Sequence, residues 1–93
     1  MYEIQPRTKK NAKKLGVLIY PSDNPKYKIE VYDWNGQFMF YIGDPVYSDY
    51  PTYIKTHGLE YADERRRLYK IRHEKDRKVL GSRGYYAYKL LWN

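Results

Sequence analysis

KYKIEVYDWNGQFMFYIG, residues 26–43, is the stretch that decides the fold. Tyr27, Ile29 and Val31 alternate with Lys28, Glu30 and Tyr32, the period-two pattern of a strand with two unlike faces. Asn35-Gly36 follows, a pair that tolerates positive φ and therefore predicts a two-residue hairpin turn. Gln37–Ile42 is the return strand. Such a turn sets Val31 opposite Phe40 and Ile29 opposite Ile42 on one face, the expected core. It sets Tyr32 opposite Met39 and Glu30 opposite Tyr41 on the other, with Trp34 near the tip. That second face is too apolar for a plain solvent face. It is expected to pack under the C-terminal segment or, as the alternative, to serve as a docking surface.

Outward from the hairpin, Leu15–Tyr20 (LGVLIY) is a short apolar run of strand length, and PSDNP after it forces a turn. Residues 1–14 show no apolar periodicity and are expected to form a basic N-terminal arm: a solubilising tail, or a tether that orders on phosphate or on an acidic protein surface. Residues 43–57 read as a long loop anchored by Val46, Tyr47, Tyr50 and Tyr53, with Tyr47 and Tyr50 expected to wedge between sheet and helix. A helix is expected from about residue 61 to 79, with a thin apolar stripe of Ala62, Leu68, Ile71 and Tyr61, and Tyr69 alongside it. Its expected i,i+4 pairs are Asp63/Arg67, Arg72/Asp76 and Glu74/Lys78. Gly81 to Gly84 breaks it, and YYAYKLLW (85–92) is a second short helix or extended segment that must be buried. The expected fold is α+β: an antiparallel hairpin or three-stranded sheet, then one long and one short helix, as a single domain over residues 15–93.

A chain of 93 residues buries only a small core, and its thirteen tyrosines make up for few aliphatic side chains. Tyrosine favours half-buried sites and interfaces, so a marginal domain stabilised by a partner is expected. No cysteine is present, which excludes disulfides and thiolate metal sites. No apolar signal core follows Met1, and no run approaches the roughly 20 apolar residues of a membrane span. The net charge of +7 is uneven: +4 over residues 1–14, −3 over 15–62, +4 over 63–78 and +2 over the rest. Docking among several partners uses both signs.

Little in the sequence points to catalysis. His57 and His73 have no convincing zinc spacing, the serines have no paired His and acid, and no phosphate-binding glycine loop is present. Tyr41-Ile42-Gly43 matches half of the GIY-YIG nuclease signature, with Leu18-Ile19-Tyr20 a loose first half and Arg65 and Glu74 as nominees for the helical Arg and metal-binding Glu. The interval is too long and is interrupted by Pro21 and Pro25, so no enzyme, cofactor or metal is expected. ERRRLYKIRHEKDRK (64–78) carries eight Lys or Arg. Arg65, Arg66 and Arg67 spread around roughly 200° of helix surface, so they cannot all face one duplex. A solvated, internally paired face, a protein-contacting face and a nucleic-acid-contacting face remain open for it.

Residues from about Pro21 onward resemble an uncharacterised family of short basic proteins of large nucleocytoplasmic DNA viruses. The resemblance is carried by YSDY (47–50), the Arg67/Tyr69/Arg72/His73 pattern and LLWN (90–93). It implies a viral setting and no residue-level activity. The hairpin here is longer and more aromatic than the family pattern, and the Gly81–Tyr85 linker is shorter. The expected function is a non-enzymatic structural protein of the virus particle, a minor capsid or cement component, present in the virion and in host cytoplasm or nucleus during assembly. Its expected partners are other viral structural proteins, with no small-molecule substrate. The alternative is a nucleic-acid-binding accessory protein using the arm and the 64–78 helix. The residues expected to bind partners are Arg7, Lys9, Lys10, Lys13, Lys14, Tyr32, Trp34, Tyr41, Arg65, Arg66, Arg67, Arg72 and Lys75.

Overall fold

A computed structural model describes residues 2–93. In chain order it contains α1 (Pro6–Leu15), β1 (Leu18–Pro21), β2 (Ile29–Tyr32), β3 (Phe38–Ile42), α2 (Tyr50–His57), α3 (Leu59–Arg72), a 3₁₀ turn (Asp76–Lys78) and α4 (Arg83–Leu91). The architecture is α+β, with four helices where two were expected. The chain groups into two compact units that divide between Tyr47 and Ser48.

In the first unit the strands form an antiparallel sheet in the order β1-β2-β3. Ile29 pairs with Ile42, Val31 with Phe40 and Glu30 with Tyr41, as the alternation predicts. Ile29, Val31 and Ile42 are fully buried. The turn differs from expectation. The Asp33 carboxylate accepts the N–H groups of Asn35 and Gln37, both at 2.9 Å, and the Asp33 carbonyl accepts from Gly36 at 2.9 Å. This Asx-type capture builds a β-turn over Asp33–Gly36, with Gly36 at φ 85°. The loop is thereby one residue longer than a two-residue hairpin, and Tyr32 pairs with Phe38 rather than Met39. An irregularity in the ladder between Val31 and Tyr32 absorbs the extra residue and restores the register.

The expected arm is a helix instead. Pro6 occupies the first turn of α1, where its missing N–H costs nothing. Thr8, Asn11 and Ala12 are buried and Leu15 is half-buried, a stripe at i, i+3, i+4 and i+7. Gly16, at φ 72°, closes the helix: its N–H donates to Lys13 O at 3.3 Å, and the Val17 N–H donates to Ala12 O at 3.1 Å. A Cβ at Gly16 would meet nothing within 4 Å, so Gly16→Ala tests the backbone alone. It is expected to cost about 1 kcal/mol in a urea denaturation curve.

In the second unit, part of the expected long loop is α2. Asp49, wholly buried, caps it by accepting the Thr52 N–H at 3.1 Å, and Pro51 sits in the first turn. Gly58, at φ 93°, ends α2 through a bond to Ile54 O and accepts the Ala62 N–H that starts α3. Helix α3 stops at Arg72, short of the expected residue 79. It buries Ala62 and Tyr69, whereas Tyr61, Leu68 and Ile71, expected on the buried stripe, are 43%, 40% and 63% exposed. Tyr50 is buried and its hydroxyl donates to Asp63 at 2.6 Å, while Tyr47 is half exposed.

The Ser82 hydroxyl caps α4 by accepting the Tyr85 N–H at 3.2 Å. A Cβ at Gly84 would lie 2.9 Å from the Asp76 carbonyl oxygen and 3.0 Å from Asp76 Cβ. Glycine there lets α4 lie against the 3₁₀ turn. Gly84→Ala is expected to cost about 1–3 kcal/mol through overpacking, read by thermal denaturation.

Candidate interaction surfaces

Strand pairing places Tyr20, Glu30 and Tyr41 on one rung of the sheet and Leu18, Tyr32 and Phe38 on the next. The rings touch in sequence. Tyr20 meets Tyr32 edge-on at 5.6 Å, Tyr32 meets Phe38 at 5.7 Å, Phe38 meets Tyr41 at 4.8 Å and Tyr41 stacks on Tyr27 at 5.5 Å. Tyr20 and Phe38 are 52% and 50% exposed. Two carboxylates are bound into this face. The buried Glu30 accepts the Tyr32 hydroxyl and the Asp23 N–H, the latter at 3.0 Å. Asp23 accepts the Tyr41 hydroxyl at 3.1 Å. The result is a strip of five aromatic rings with negative charge among the phenol groups.

Of the aromatic residues expected to bind partners, Tyr32 and Tyr41 lie together in this strip. Trp34 sits apart on the turn, 71% exposed. Glu30 was expected on this face opposite Tyr41 and is found there, whereas Tyr20, Tyr27, Phe38 and Asp23 were not foreseen as its members. The face is partly open, and Tyr20 and Phe38 make it a candidate for docking.

Lys9, Lys10, Lys13 and Lys14, with Arg7, are exposed on α1 opposite its buried stripe, and no acid lies on the helix. Helical order thus gathers on one face the charges that an arm would scatter. Lys13 and Lys14 also sit where the negative end of the helix dipole favours cations.

The basic residues of α3 are differently placed. Arg67 bonds Glu64 at 2.6 and 3.0 Å, and Arg66 lies 3.6 Å from Asp63 and 4.1 Å over the Tyr50 ring. Arg65 lies 5.6 Å over the Tyr53 ring. Beyond the helix, Glu74 takes both Lys78 and Arg77, and Asp76 takes His73 at 3.1 Å. The expected pair Glu74/Lys78 therefore forms. Asp63 and Glu64 instead pair at i,i+3, and Asp76 pairs with His73. Hydrogen bonds from Lys78 and Arg77 hold the Glu74 carboxyl below its ordinary range, and those from Arg67 and His73 do the same for Glu64 and Asp76. These are exposed pairs of small energetic weight. Arg72 and Lys75 are exposed, Arg72 at the end of α3 and Lys75 before the 3₁₀ turn.

Three phenols resist ionisation, Tyr41 among them through its bond to the Asp23 carboxylate. Tyr32 is pushed up to about 12, first by its bond to the Glu30 carboxylate. Burial pushes Tyr69 up to about 12. Each fold therefore holds the proton more tightly than the unfolded chain, where tyrosine titrates near ~10. The stabilisation is complete below pH ~10 and is lost as pH rises towards ~12. Absorbance at 295 nm is expected to show Tyr32 and Tyr69 among the last tyrosines to ionise, with unfolding accompanying the final step.

Among the described residues no group of three or more His, Cys, Asp or Glu is placed to hold a metal ion. Among the same residues no helix is long and apolar enough to cross a membrane. Comparison with protein-family models, curated proteins and solved structures finds no match to this chain.

Proposed function

We propose that this chain is a non-enzymatic structural protein of a large DNA virus particle, a minor capsid or cement component that acts by adhesion. The observation that carries this reading is the half-exposed aromatic strip of the sheet. Tyrosine and phenylalanine give rigid contact area at low entropic cost, and phenol groups satisfy polar partners at the rim. The arginines of α3 support it, because Arg66 and Arg67 are already engaged by Asp63, Glu64 and Tyr50. The family resemblance supplies the viral setting.

The test is incorporation. Tagged protein produced during infection should co-sediment with intact particles and resist a salt wash, and Tyr20→Ser/Phe38→Ser should move to the supernatant. Wild-type protein found only in the soluble fraction would sink the reading. A nucleic-acid-binding role is the second reading, favoured by one observation: the lysine face of α1, which has no acid on its own helix.

A further inference from the structure

The first unit carries two accessible patches of opposite character. One is the outer face of α1, with Lys9, Lys10, Lys13 and Lys14. The other is the sheet strip, where the exposed Asp23 and the buried Glu30 lie among five aromatic rings. Outside α1 and the residues before it, this unit holds four acids, Asp23, Glu30, Asp33 and Asp44, against Lys26 and Lys28. We propose that the aromatic, acidic strip of one copy receives the lysine face of α1 from a second copy. The inference rests on the adhesive reading above and names the partner of that surface.

Charge and ring chemistry select the occupant. An ammonium group is attracted to the electron-rich face of a phenol ring and to a neighbouring carboxylate, and a lysine stem covers apolar ring surface at the same time. The unit already uses this contact within one chain, where the Lys28 ammonium lies 5.5 Å over the Tyr2 ring. A polyanion fits the strip poorly, because the Glu30 and Asp23 carboxylates would repel it. The buried Thr8, Asn11 and Ala12 hold α1 with its lysines outward. The two patches are unlike, so the contact is heterologous: repeated copy by copy it builds a ring or an open chain, which suits a lattice component.

Sedimentation velocity on the full chain tests this. The wild-type protein should associate progressively with concentration and less so at high salt. Lys9→Glu/Lys10→Glu/Lys13→Glu/Lys14→Glu should be monomeric alone, because its α1 is reversed while its strip is intact. Tyr20→Ser/Phe38→Ser should also be monomeric alone, with an intact α1. Mixed in equal amounts, the two should form a heterodimer and nothing larger, since only one of the two possible contacts survives. Circular dichroism checks folding, and Tyr20→Gln at a half-exposed site replaces the double variant if that one unfolds. A wild-type protein that stays monomeric, a variant that still self-associates, or a mixture that stays monomeric overturns the proposal. Particle incorporation by a protein that is monomeric in solution would overturn this inference and leave the adhesive reading intact. Association without incorporation would do the reverse.

Discussion

Replacing Trp92 with alanine is expected to cost about 3–5 kcal/mol, the range for deleting a large buried aromatic side chain. Trp92 is the penultimate residue, yet it is only 8% exposed. Its ring stacks on Tyr69 at 4.4 Å and lies 6.2 Å from Tyr53, so it joins α4 to both α2 and α3. Tyr69 in turn stacks on His73 at 4.3 Å. Removal would leave the Tyr69 ring without its closest aromatic neighbour from the C-terminal segment, with only Tyr88 of α4 at 6.4 Å. Small domains have total stabilities of only about 5–15 kcal/mol, so a large unfolded fraction at physiological temperature is expected. The second tryptophan supplies an internal control. Trp34 is 71% exposed on the hairpin turn, and Trp34→Ala is expected to change stability by no more than about 0.5 kcal/mol. Urea denaturation of both variants checks the contrast. Fluorescence gives a second readout, because the blue-shifted emission of a buried indole should vanish with Trp92 alone. Equal destabilisation by the two substitutions would contradict the packing described.

The hairpin was legible because a buried face pins register more firmly than a turn does. Ile29, Val31 and Ile42 end up in the core although the turn around Asn35-Gly36 is longer than the dipeptide suggests, and the ladder irregularity beside Tyr32 compensates. The same extra residue brings Phe38 opposite Tyr32 in place of Met39, so the composition of the aromatic strip was only half readable. Tyr20 enters it through the pairing of β1 with β2, which the local alternation of either strand does not specify. Helix α1 was hidden for a different reason. Its buried stripe is made of Thr8, Asn11 and Ala12, which carry almost no hydropathy signal. The available clues were its punctuation, Pro6 at the start and Gly16 at the end. Helix α2 was masked by Pro51, which is disruptive within a helix and harmless in its first turn. The overlong estimate of α3 followed from residues 73–78, whose charges suit a helix surface and whose backbone instead enters a 3₁₀ turn against Gly84.

Reversing Lys9, Lys10, Lys13 and Lys14 to glutamate is expected to abolish binding to a labelled DNA duplex at low salt, as followed by fluorescence anisotropy. For the unaltered chain, four lysine–phosphate contacts would give a log–log salt slope of about −3.6, or roughly a 150-fold loss of affinity between about 50 and 200 mM salt. Arg66→Ala/Arg67→Ala is expected to leave both affinity and slope nearly unchanged. Those two guanidinium groups already face Asp63 and Glu64, and their release of counterions from DNA would come at the expense of an existing pair. A chain that used α3 as its groove-reading helix would show the opposite ranking. Affinity clearly tighter than micromolar persisting at physiological salt would favour the genome-binding reading, because non-specific phosphate contacts alone typically give a Kd of about 10⁻⁴–10⁻⁶ M there. Affinity that disappears by then leaves the lysine face of α1 for a protein surface. The aromatic, acidic strip on β1, β2 and β3 of another copy is the surface of matching charge that this chain itself provides.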